Sequence, residues 1–388
     1  MSRISLYSAV DDILTRYDVD VAAATLTRRE SIRTAAKVQY AWPHPNGPYL
    51  YVTTSAAGPR VQSDFNHVSA YLIDHDGRLT AHGPSRTLDR RAVHTCVDPT
   101  GQYLLSAHNF PRSGLTVHPL LTDGTIGQPI PQSDALDCGA YPHQVRVLPS
   151  ARAALIVDRG NHARPDKRED PGALRLFPLC DGGLSPGDVI APNQGYGFGP
   201  RHVDFHPTQP WMYVSDERTN QLYMFRITDS AIESGPAYRC TLLEATDRVD
   251  ARQLGGPIHV HPSGRYVYVA NRADRVEEVN GEKVFAGGEN SIAVFRINSS
   301  TGEPTLVEHA STRSFHVRTF ACDPTGQLLV TASIKPLAAR VEGAIRTIPA
   351  ALTVFRVCDD GSLEYVRQYP VETRDGQLQY WMGIVGAS

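Results

Sequence analysis

The 388-residue sequence lacks several features that define common protein classes. It has no run of about eighteen apolar residues, which excludes a transmembrane helix. Its first twenty residues carry acidic side chains where a signal peptide needs an apolar core, so we expect a cytoplasmic protein. The 38 basic and 41 acidic residues give a net charge of −3, and this balance predicts neither nucleic acid nor a membrane as a partner.

Thiol chemistry and the common nucleotide motifs are also missing. The six cysteines are widely spaced and form no CxxC pair, which excludes a disulfide framework and a thiolate zinc site. There is no GxSxG elbow, Walker A loop or HExxH helix, and no GxGxxG follows a strand in a βαβ unit. We therefore expect a protein that works without a cofactor.

What the chain does contain is a repeat. A proline turn followed by an apolar strand occurs six times, for example as HPNGPYLYVTTS, DPTGQYLLSAHN and HPSGRYVYVANR. The motif prolines are Pro45, Pro99, Pro149, Pro207, Pro262 and Pro324. A second motif, an aromatic-centred strand that usually runs into a Gly or Asp turn, occurs seven times, for example as IAVFRINSSTG. Seven units of about 55 residues each have room for four short strands.

The repeat predicts an all-β fold, a seven-bladed β-propeller of four-stranded blades that forms a single domain over residues 1–388. The N-terminal unit has no proline motif, whereas Leu378–Val385 is an apolar strand that follows the seventh unit. We expect this C-terminal segment to supply the innermost strand of the first blade, which closes the ring and removes open sheet edges. A β-sandwich array or a β-helix is the alternative, and a period near 55 residues favours the propeller.

Propeller topology assigns each part of the repeat to a face. The proline turn joins strands one and two, so the start of strand one and the end of strand two lie at the opposite face. Six residues before the prolines stand Gln39, Val93, His143, Arg201, Gly256 and Arg318. Ten residues after them stand Ser55, Asn109, Arg159, Glu217, Arg272 and Ile334. Buried strands are normally rich in Val, Ile and Leu, so His, Arg and Glu here indicate a site.

Two long insertions, Arg159–Leu174 and Arg272–Asn290, follow second strands and should rise over the same face. Long loops inside a compact repeat commonly act as lids or binding loops, although solvated decoration is the alternative. The histidines of the proline turns, His44, His206 and His261, fall on the other face, and we predict structural roles for them.

Four segments carry a resemblance to a known family: YPHQV, GPRHVDFHP, SDERTNQL and IHVHPSGRYVYVANR. They resemble the lactonase family of seven-bladed β-propellers, and the likeness spans almost the whole chain. That family includes bacterial 6-phosphogluconolactonases and a fungal cycloisomerase that acts on carboxy-cis,cis-muconate. The resemblance implies a small lactone ligand that bears a carboxylate or phosphate. It also implies that the functional residues are His143, Arg201, Glu217 and Arg272, all of which the strand count selects independently.

These residue types suit the opening of a lactone ring. A neutral His143 has a pKa near working pH and can act as general base, with Glu217 orienting it or acting as the acid. Arg201 and Arg272 present forked donors to a carboxylate, a phosphate or an oxyanion. The structural alternative for Arg272 and Glu217 is an inter-blade ion pair. Six further residues are predicted to bind substrate: His94, Asn109, Arg159, His202, Arg318 and His259. His259, three before its proline, is expected deeper on its strand, at the channel floor.

Three activities are compatible with this pattern. The favoured one is metal-independent hydrolysis of a small anionic lactone, and the second is lactone formation from a muconate-type diacid or polycarboxylate. The third is a non-catalytic scaffold, which the small number of tryptophans and the absence of Trp-Asp blade endings disfavour. Calcium would accept the oxygen ligands Asn109, Asp158, Asp216, Glu217 and Asn271, but neighbouring arginines would repel a cation, so we expect no metal. Assembly into a homo-oligomer is left open.

Overall fold

The computed structural model describes residues 4–245, 253–374 and 376–386. These three ranges consist of β-strands, turns and one 3-10 segment, Pro192–Gly195. Within them, no helix is long and apolar enough to cross a membrane. Seven sheets form the blades, and insertions add an eighth, four-stranded sheet.

The innermost strands of the seven blades form a closed ring, because each contacts the innermost strand of the next blade. From blade 1 to blade 7 they are Gln379–Gly386, Lys37–Pro43, Ala92–Val97, Pro142–Val147, Pro200–Phe205, Gln253–Val260 and Val317–Cys322. The second strands are Ile4–Val10, Tyr49–Ser55, Tyr103–His108, Ala153–Asp158, Trp211–Asp216, Tyr266–Ala273 and Leu328–Ser333. The third strands are Ile13–Asp20, Asn66–Ile73, Gly114–Pro119, Ala173–Cys180, Gln221–Arg226, Ser291–Ile297 and Ala351–Val357.

The ring is closed by the C-terminal strand, which confirms the predicted fold. Gln379–Gly386 pairs antiparallel with Ile4–Val10, with Met382 opposite Ser8. Trp381 on this strand is 4% exposed and belongs to the same buried cluster as Tyr7 and Val38. The first and last segments of the chain therefore share one blade, and blade 1 has no unpaired inner edge.

The fourth, outermost strands are less regular than the repeat predicts. Five blades have one: Thr25–Arg33, Leu79–Thr87, Tyr238–Thr241, Pro304–Ser311 and Leu363–Pro370. In blade 3, two isolated bridges, Val117 to Ile130 and Leu120 to Ile126, occupy this place, because Pro129 and Pro131 have no amide proton for a ladder. Blade 4 has the two-residue strands Gly183–Leu184 and Val189–Ile190, separated by a turn that contains Pro186.

The eighth sheet is built from two hairpins. Val276–Val279 pairs with Glu282–Phe285 inside the predicted blade 6 insertion, and Leu337–Val341 pairs with Ala344–Ile348 in blade 7. The two hairpins join through a parallel bridge between Val284 and Ala338. The second hairpin follows a second strand as well, but the sequence analysis did not single it out.

Neighbouring blades are held together by two repeated hydrogen bonds to glycine carbonyls. The proline-turn histidines His44, His206 and His261 contact the carbonyl oxygens of Gly101, Gly264 and Gly326 in the next proline turn, at 3.0, 3.0 and 2.8 Å. Four second-strand tyrosines donate from their hydroxyls to glycine carbonyls one blade further on: Tyr7, Tyr51, Tyr213 and Tyr268. The proline-turn histidines thus have structural partners.

Each innermost strand carries a β-bulge at the end opposite the proline turn. In blade 5, Pro200 pairs with Asp216 and His202 with Ser215, so that Arg201 between them has no partner across the ladder. The same register shift recurs in all seven blades. The bulged residues are Tyr380, Gln39, Val93, His143, Arg201, Gly256 (with Pro257) and Arg318. β-Bulges re-aim side chains, and this ring of bulges places seven positions around one channel mouth.

Replacing the closing tryptophan tests how far stability depends on ring closure. We expect Trp381→Ala to lower the free energy of unfolding by about 3 kcal/mol, because a large buried ring is removed from the first blade. The half-exposed Tyr365→Ala serves as the control and should change stability by less than about 1 kcal/mol. Urea unfolding followed by circular dichroism measures both, and equal effects would contradict the proposed contribution of the closing strand.

Candidate functional site

Three arginines from three consecutive blades surround one carboxylate at the bulged mouth. Arg159 Nη1 of blade 4 lies 2.7 Å from Glu217 Oε1. Arg201 Nε of blade 5 and Arg272 Nη2 of blade 6 lie 2.9 and 2.7 Å from Glu217 Oε2. The side chains of Arg201 and Arg272 are 2% exposed, and that of Glu217 is 8% exposed. The structure therefore brings together four residues that are distant in sequence.

Local backbone structure explains why these side chains meet. Arg201 is a bulged residue at the start of an innermost strand, so its side chain is released from the alternation of the ladder. Arg159 and Glu217 follow the last residues of second strands in blades 4 and 5, and Arg272 lies near the end of the blade 6 second strand. Strand starts and strand ends converge here because all blades run in the same direction around the axis.

Electrostatics keep Glu217 ionised. Burial by itself opposes ionisation, but the guanidiniums of Arg159, Arg272 and Arg201 outweigh it and hold the pKa of Glu217 well below its usual range. Burial and like-charged neighbours lower the pKa values of Arg201 and Arg272, although Glu217 acts in the opposite direction. Arg201 Nη1 and Arg272 Nε have no hydrogen-bond partner within the described ranges. The cluster thus holds more buried positive charge than Glu217 neutralises.

His143 is the bulged residue of blade 4 and lies beside the cluster. Burial and the charges of Arg201, Arg159, Arg318 and Arg272 lower its pKa well below 6.5, so the imidazole is neutral at neutral pH. Its Nδ1 atom is buried and has no hydrogen-bond partner in the part of the chain that the structure describes. The His143 ring centre lies 5.1 Å from that of His202.

A layer of side chains lies one residue below the bulges. His202, His94 and Tyr40 belong to it, with ring centres 5.8 Å apart for His94 and His202 and 3.9 Å apart for His94 and Tyr40. Burial and neighbouring arginines lower the pKa values of both histidines. The predicted binding residues His94 and His202 therefore lie next to the charged cluster, on its channel side.

Two other predicted binding residues lie at the rim with different partners. Arg318 stacks on Tyr380 of the closing strand, with its guanidinium carbon 3.8 Å from the ring centre. Asn109 Oδ1 accepts a hydrogen bond from Arg91 Nη2 at 3.2 Å, and Arg91 Nη1 donates to Gln39 Oε1 at 2.9 Å. Asn109 is thus engaged in blades 2 and 3, whereas the arginines that contact Glu217 belong to blades 4 to 6.

The structure does not bring His259 to the charged cluster. It lines a cavity of about 390 Å³ that extends from the Tyr40–His202 layer to the proline turns. There His259 Nδ1 lies 3.8 Å from Asp204 Oδ2, and Asp204 pairs with Arg146 at 3.1 Å. His259 lies only three residues before its proline, closer to the opposite mouth of the channel. It is therefore too far along the channel to contact the charged cluster.

Most of the oxygen atoms considered for calcium are used within the blades. Asp158 accepts from the Tyr141 amide at 2.8 Å, and Asp216 accepts from the Gly199 amide at 2.7 Å. The Glu217 carboxylate contacts the arginines. Asn271 donates through Nδ2 to the Leu242 carbonyl, and its Oδ1 has no hydrogen-bond partner among the described residues. In the described residues, no group of three or more His, Cys, Asp or Glu side chains is arranged to hold a metal ion.

Sequence reasoning missed three residues at this mouth, all of which lie eight residues before a motif proline: Arg91, Tyr141 and His316. Arg159 places its guanidinium carbon 4.2 Å from the Tyr141 ring centre. His316 Nε2 lies 3.4 Å from Arg272 Nη1. All three lie one residue before an innermost strand, so extending the count from six to eight residues before the proline would have found them.

Comparison with known proteins shows that the chain is similar to one protein family and to two bacterial proteins. A sequence model of the family described as "Lactonase, 7-bladed beta-propeller" matches residues 4–335. The 6-phosphogluconolactonase of Bacillus subtilis is 30% identical over 322 residues, which cover 82% of this chain and 83% of that protein. The 6-phosphogluconolactonase of Yersinia pestis is 27% identical over 372 residues, which cover 94% and 93% of the two chains.

A solved structure supports the same fold. The periplasmic gluconolactonase of Pseudomonas aeruginosa superimposes with a TM-score of 0.70 over 100% of both chains, at 18% identity. At this identity the match establishes the shared propeller architecture alone.

The buried neutral histidines predict that acid destabilises the fold. Their pKa values in the folded protein lie below 6.5, so the unfolded chain binds more protons below that pH. Each site therefore lowers the free energy of unfolding by up to about 1.4 kcal/mol per pH unit as the pH falls. Four such sites lie at the channel mouth: His94, His143, His202 and His316. Burial also lowers the pKa values of His108 and His118, to about 3 and about 4, which adds to the loss. Asp158 and Asp216, whose pKa values burial raises, the latter to about 6, oppose this loss.

Urea unfolding at pH 7.5 and pH 5.5 measures this dependence. We expect lower stability at pH 5.5, and we expect His94→Gln to reduce the difference between the two values. The exposed His75→Gln is the matched control and should leave the difference unchanged. Equal stability of the native sequence at both pH values would contradict the assignment of neutral buried histidines.

Proposed function

Because the chain belongs to the lactonase family of seven-bladed β-propellers, we propose that it hydrolyses a small anionic lactone of the sugar-acid type at the bulged mouth of its channel. The observation that carries this proposal is the excess of buried positive charge, three guanidiniums around the single carboxylate of Glu217. A buried cation without full compensation is costly, and an anionic ligand offsets that cost. The same donors stabilise the oxyanion that forms when a lactone carbonyl is attacked.

The proposed reaction begins at His143. Its neutral imidazole accepts a proton from a water molecule as the water oxygen forms a bond to the lactone carbonyl carbon. The carbonyl oxygen becomes an oxyanion, which Arg201 or Arg272 stabilises through forked N–H donors. The ring C–O bond then breaks, and the imidazolium returns the proton to the leaving alkoxide. Protons and charge balance within this sequence without a further co-reactant.

Glu217 is better suited to positioning than to proton donation. Its pKa lies well below the usual range, so it is ionised at every pH at which the protein is expected to work. An ionised carboxylate holds Arg159, Arg201 and Arg272 in one arrangement and keeps their repulsion in check. Glu217 can therefore form an inter-blade ion pair and also serve the proposed reaction.

Hydrolysis is favoured over the two alternatives. The relatives described above carry the names of lactone hydrolases, whereas the lactone-forming reaction on muconate-type diacids has no comparable support. A scaffold does not require a buried, incompletely neutralised charge cluster. Cytoplasmic location and homo-oligomer formation stay predictions, and one structural relative is periplasmic.

A lactone panel tests the proposed function. We expect turnover of sugar-acid δ-lactones, faster for those that carry a phosphate or carboxylate, and the same rate with and without a chelator. Acid release in a pH-stat, corrected for spontaneous hydrolysis, measures the rates. If the protein hydrolyses none of the lactones, the proposal is wrong. If a chelator abolishes the activity and added metal restores it, the metal-independent mechanism is wrong.

Two substitutions test the assigned roles. We expect His143→Asn and Glu217→Gln each to lower kcat by about 10²-fold or more, because one removes the base and the other leaves three cations without their anion. The exposed His75→Asn is the matched control and should retain full activity. Retention of activity by His143→Asn, with an unchanged circular dichroism spectrum, would remove the proposed base.

A further inference from the structure

A histidine outside the four sequence segments that carry the family resemblance contacts Arg272. His316 precedes the innermost strand of blade 7 and is 9% exposed. Its Nε2 atom lies 3.4 Å from Arg272 Nη1, while Arg272 Nη2 lies 2.7 Å from Glu217. An arginine can only donate, so His316 Nε2 must be the acceptor and the ring proton must be on Nδ1.

The other side of the ring faces a carboxylate. His316 Nδ1 lies 3.7 Å from Asp274 Oδ1, and Lys335 Nζ lies 3.4 Å from Asp274 Oδ2. Asp274 lies two residues after Arg272, at the start of the blade 6 insertion, and Lys335 lies just before the second hairpin of the eighth sheet. At 3.7 Å this contact is longer than a hydrogen bond, and the negative charge of the carboxylate favours a proton on Nδ1, which leaves Nε2 free to accept from Arg272.

The backbone at His316 is held in an unfavourable conformation. Its φ is +53°, in the left-handed region that residues with a β-carbon rarely adopt. The His316 amide donates to Asn290 Oδ1 at 2.8 Å, and Asn290 also accepts from the Ala273 amide at 3.1 Å. The last residue of the blade 6 insertion therefore fixes both the strained turn and the strand end next to Arg272. Such strain in ordered structures concentrates at functional sites.

We propose that His316 is a positioning residue for the reaction, an acceptor that orients the Arg272 guanidinium, with its tautomer set by Asp274. The inference rests on the proposed lactone hydrolysis, because Arg272 acts there on the substrate. The proposal also connects the blade 6 insertion and the blade 7 hairpin to the site. Asp274 and Asn290 lie at the two ends of the blade 6 insertion, and Lys335 precedes the blade 7 hairpin. Misplacement of a catalytic group by about 1 Å can cost about 10²-fold in rate.

A pair of substitutions separates positioning from simple structural support. In His316→Gln, the side-chain oxygen can reach the place of Nε2 and accept from Arg272. In His316→Asn, the shorter side chain places its oxygen near Nδ1 and cannot reach, although Asn adopts the left-handed backbone more readily than Gln. We expect Tm to be higher for the Asn variant than for the Gln variant. We expect kcat/KM in the opposite order, with about a 3-fold loss for Gln and a loss of about 30-fold or more for Asn.

His309→Gln is the matched control. The His309 imidazole contacts the Leu242 carbonyl and not Arg272. This variant should keep the native kcat/KM. If the Asn and Gln variants follow the same order in kcat/KM as in Tm, or retain equal activity, the proposed positioning role is wrong. If the native protein turns over no lactone, the proposed function fails instead, so the two failures are distinguishable.

Discussion

The contact between Glu217 and the guanidiniums of Arg159, Arg201 and Arg272 is the interaction on which the site depends. It links blades 4, 5 and 6 through one carboxylate, and it does so in a buried place where like charges would otherwise repel. Breaking such a pair by removing one partner is strongly destabilising, because it leaves charge buried without compensation. The same contact therefore supports the packing of three blades and arranges donors for an anionic ligand.

The positive charge also determines the state of the surrounding histidines. Each imidazole near the cluster is neutral, since burial and neighbouring arginines both disfavour its protonated form. A neutral His143 can accept a proton, but a base with such a low pKa is weak in the free protein. An anion bound by the arginines would reduce their effect on His143 and raise its basicity, so that substrate binding and activation of the base become linked.

Much of the fold could be predicted from the spacing of the proline turns, because that spacing reports strand number and blade period directly. The closing strand was predictable since one unit lacked its first motif and an apolar segment was left over at the C-terminus. The outer strands were not, because Pro129, Pro131 and Pro186 interrupt ladders that the repeat would suggest. The hairpin Leu337–Val341 with Ala344–Ile348 was missed because its sequence has no long polar run of the kind that marked the other insertions.

At the site, the count from the prolines selected the strand ends and also indicated depth along the channel. His259, three before its proline, was expected deeper on its strand, and it lies in the cavity on the far side of the Tyr40–His202 layer. His316 was missed because it lies before its strand begins, in a turn whose left-handed backbone has no signature when the residue is not glycine or asparagine. The types of the side chains indicated the kind of reaction, whereas the number of residues to the proline turn determined which side chains meet at the channel mouth.

The ring of β-bulges has a consequence for how such a protein can change over evolutionary time. A residue at a bulge has no cross-strand partner, so its replacement does not break a ladder hydrogen bond or alter the strand register. Seven such positions surround one opening, but two of them are constrained: Arg201 is tied to Glu217, and a side chain at Gly256 would meet the Ala270 carbonyl. At the other bulges the ladder places no demand on the side chain, so new specificities can arise there by single substitutions without loss of the scaffold.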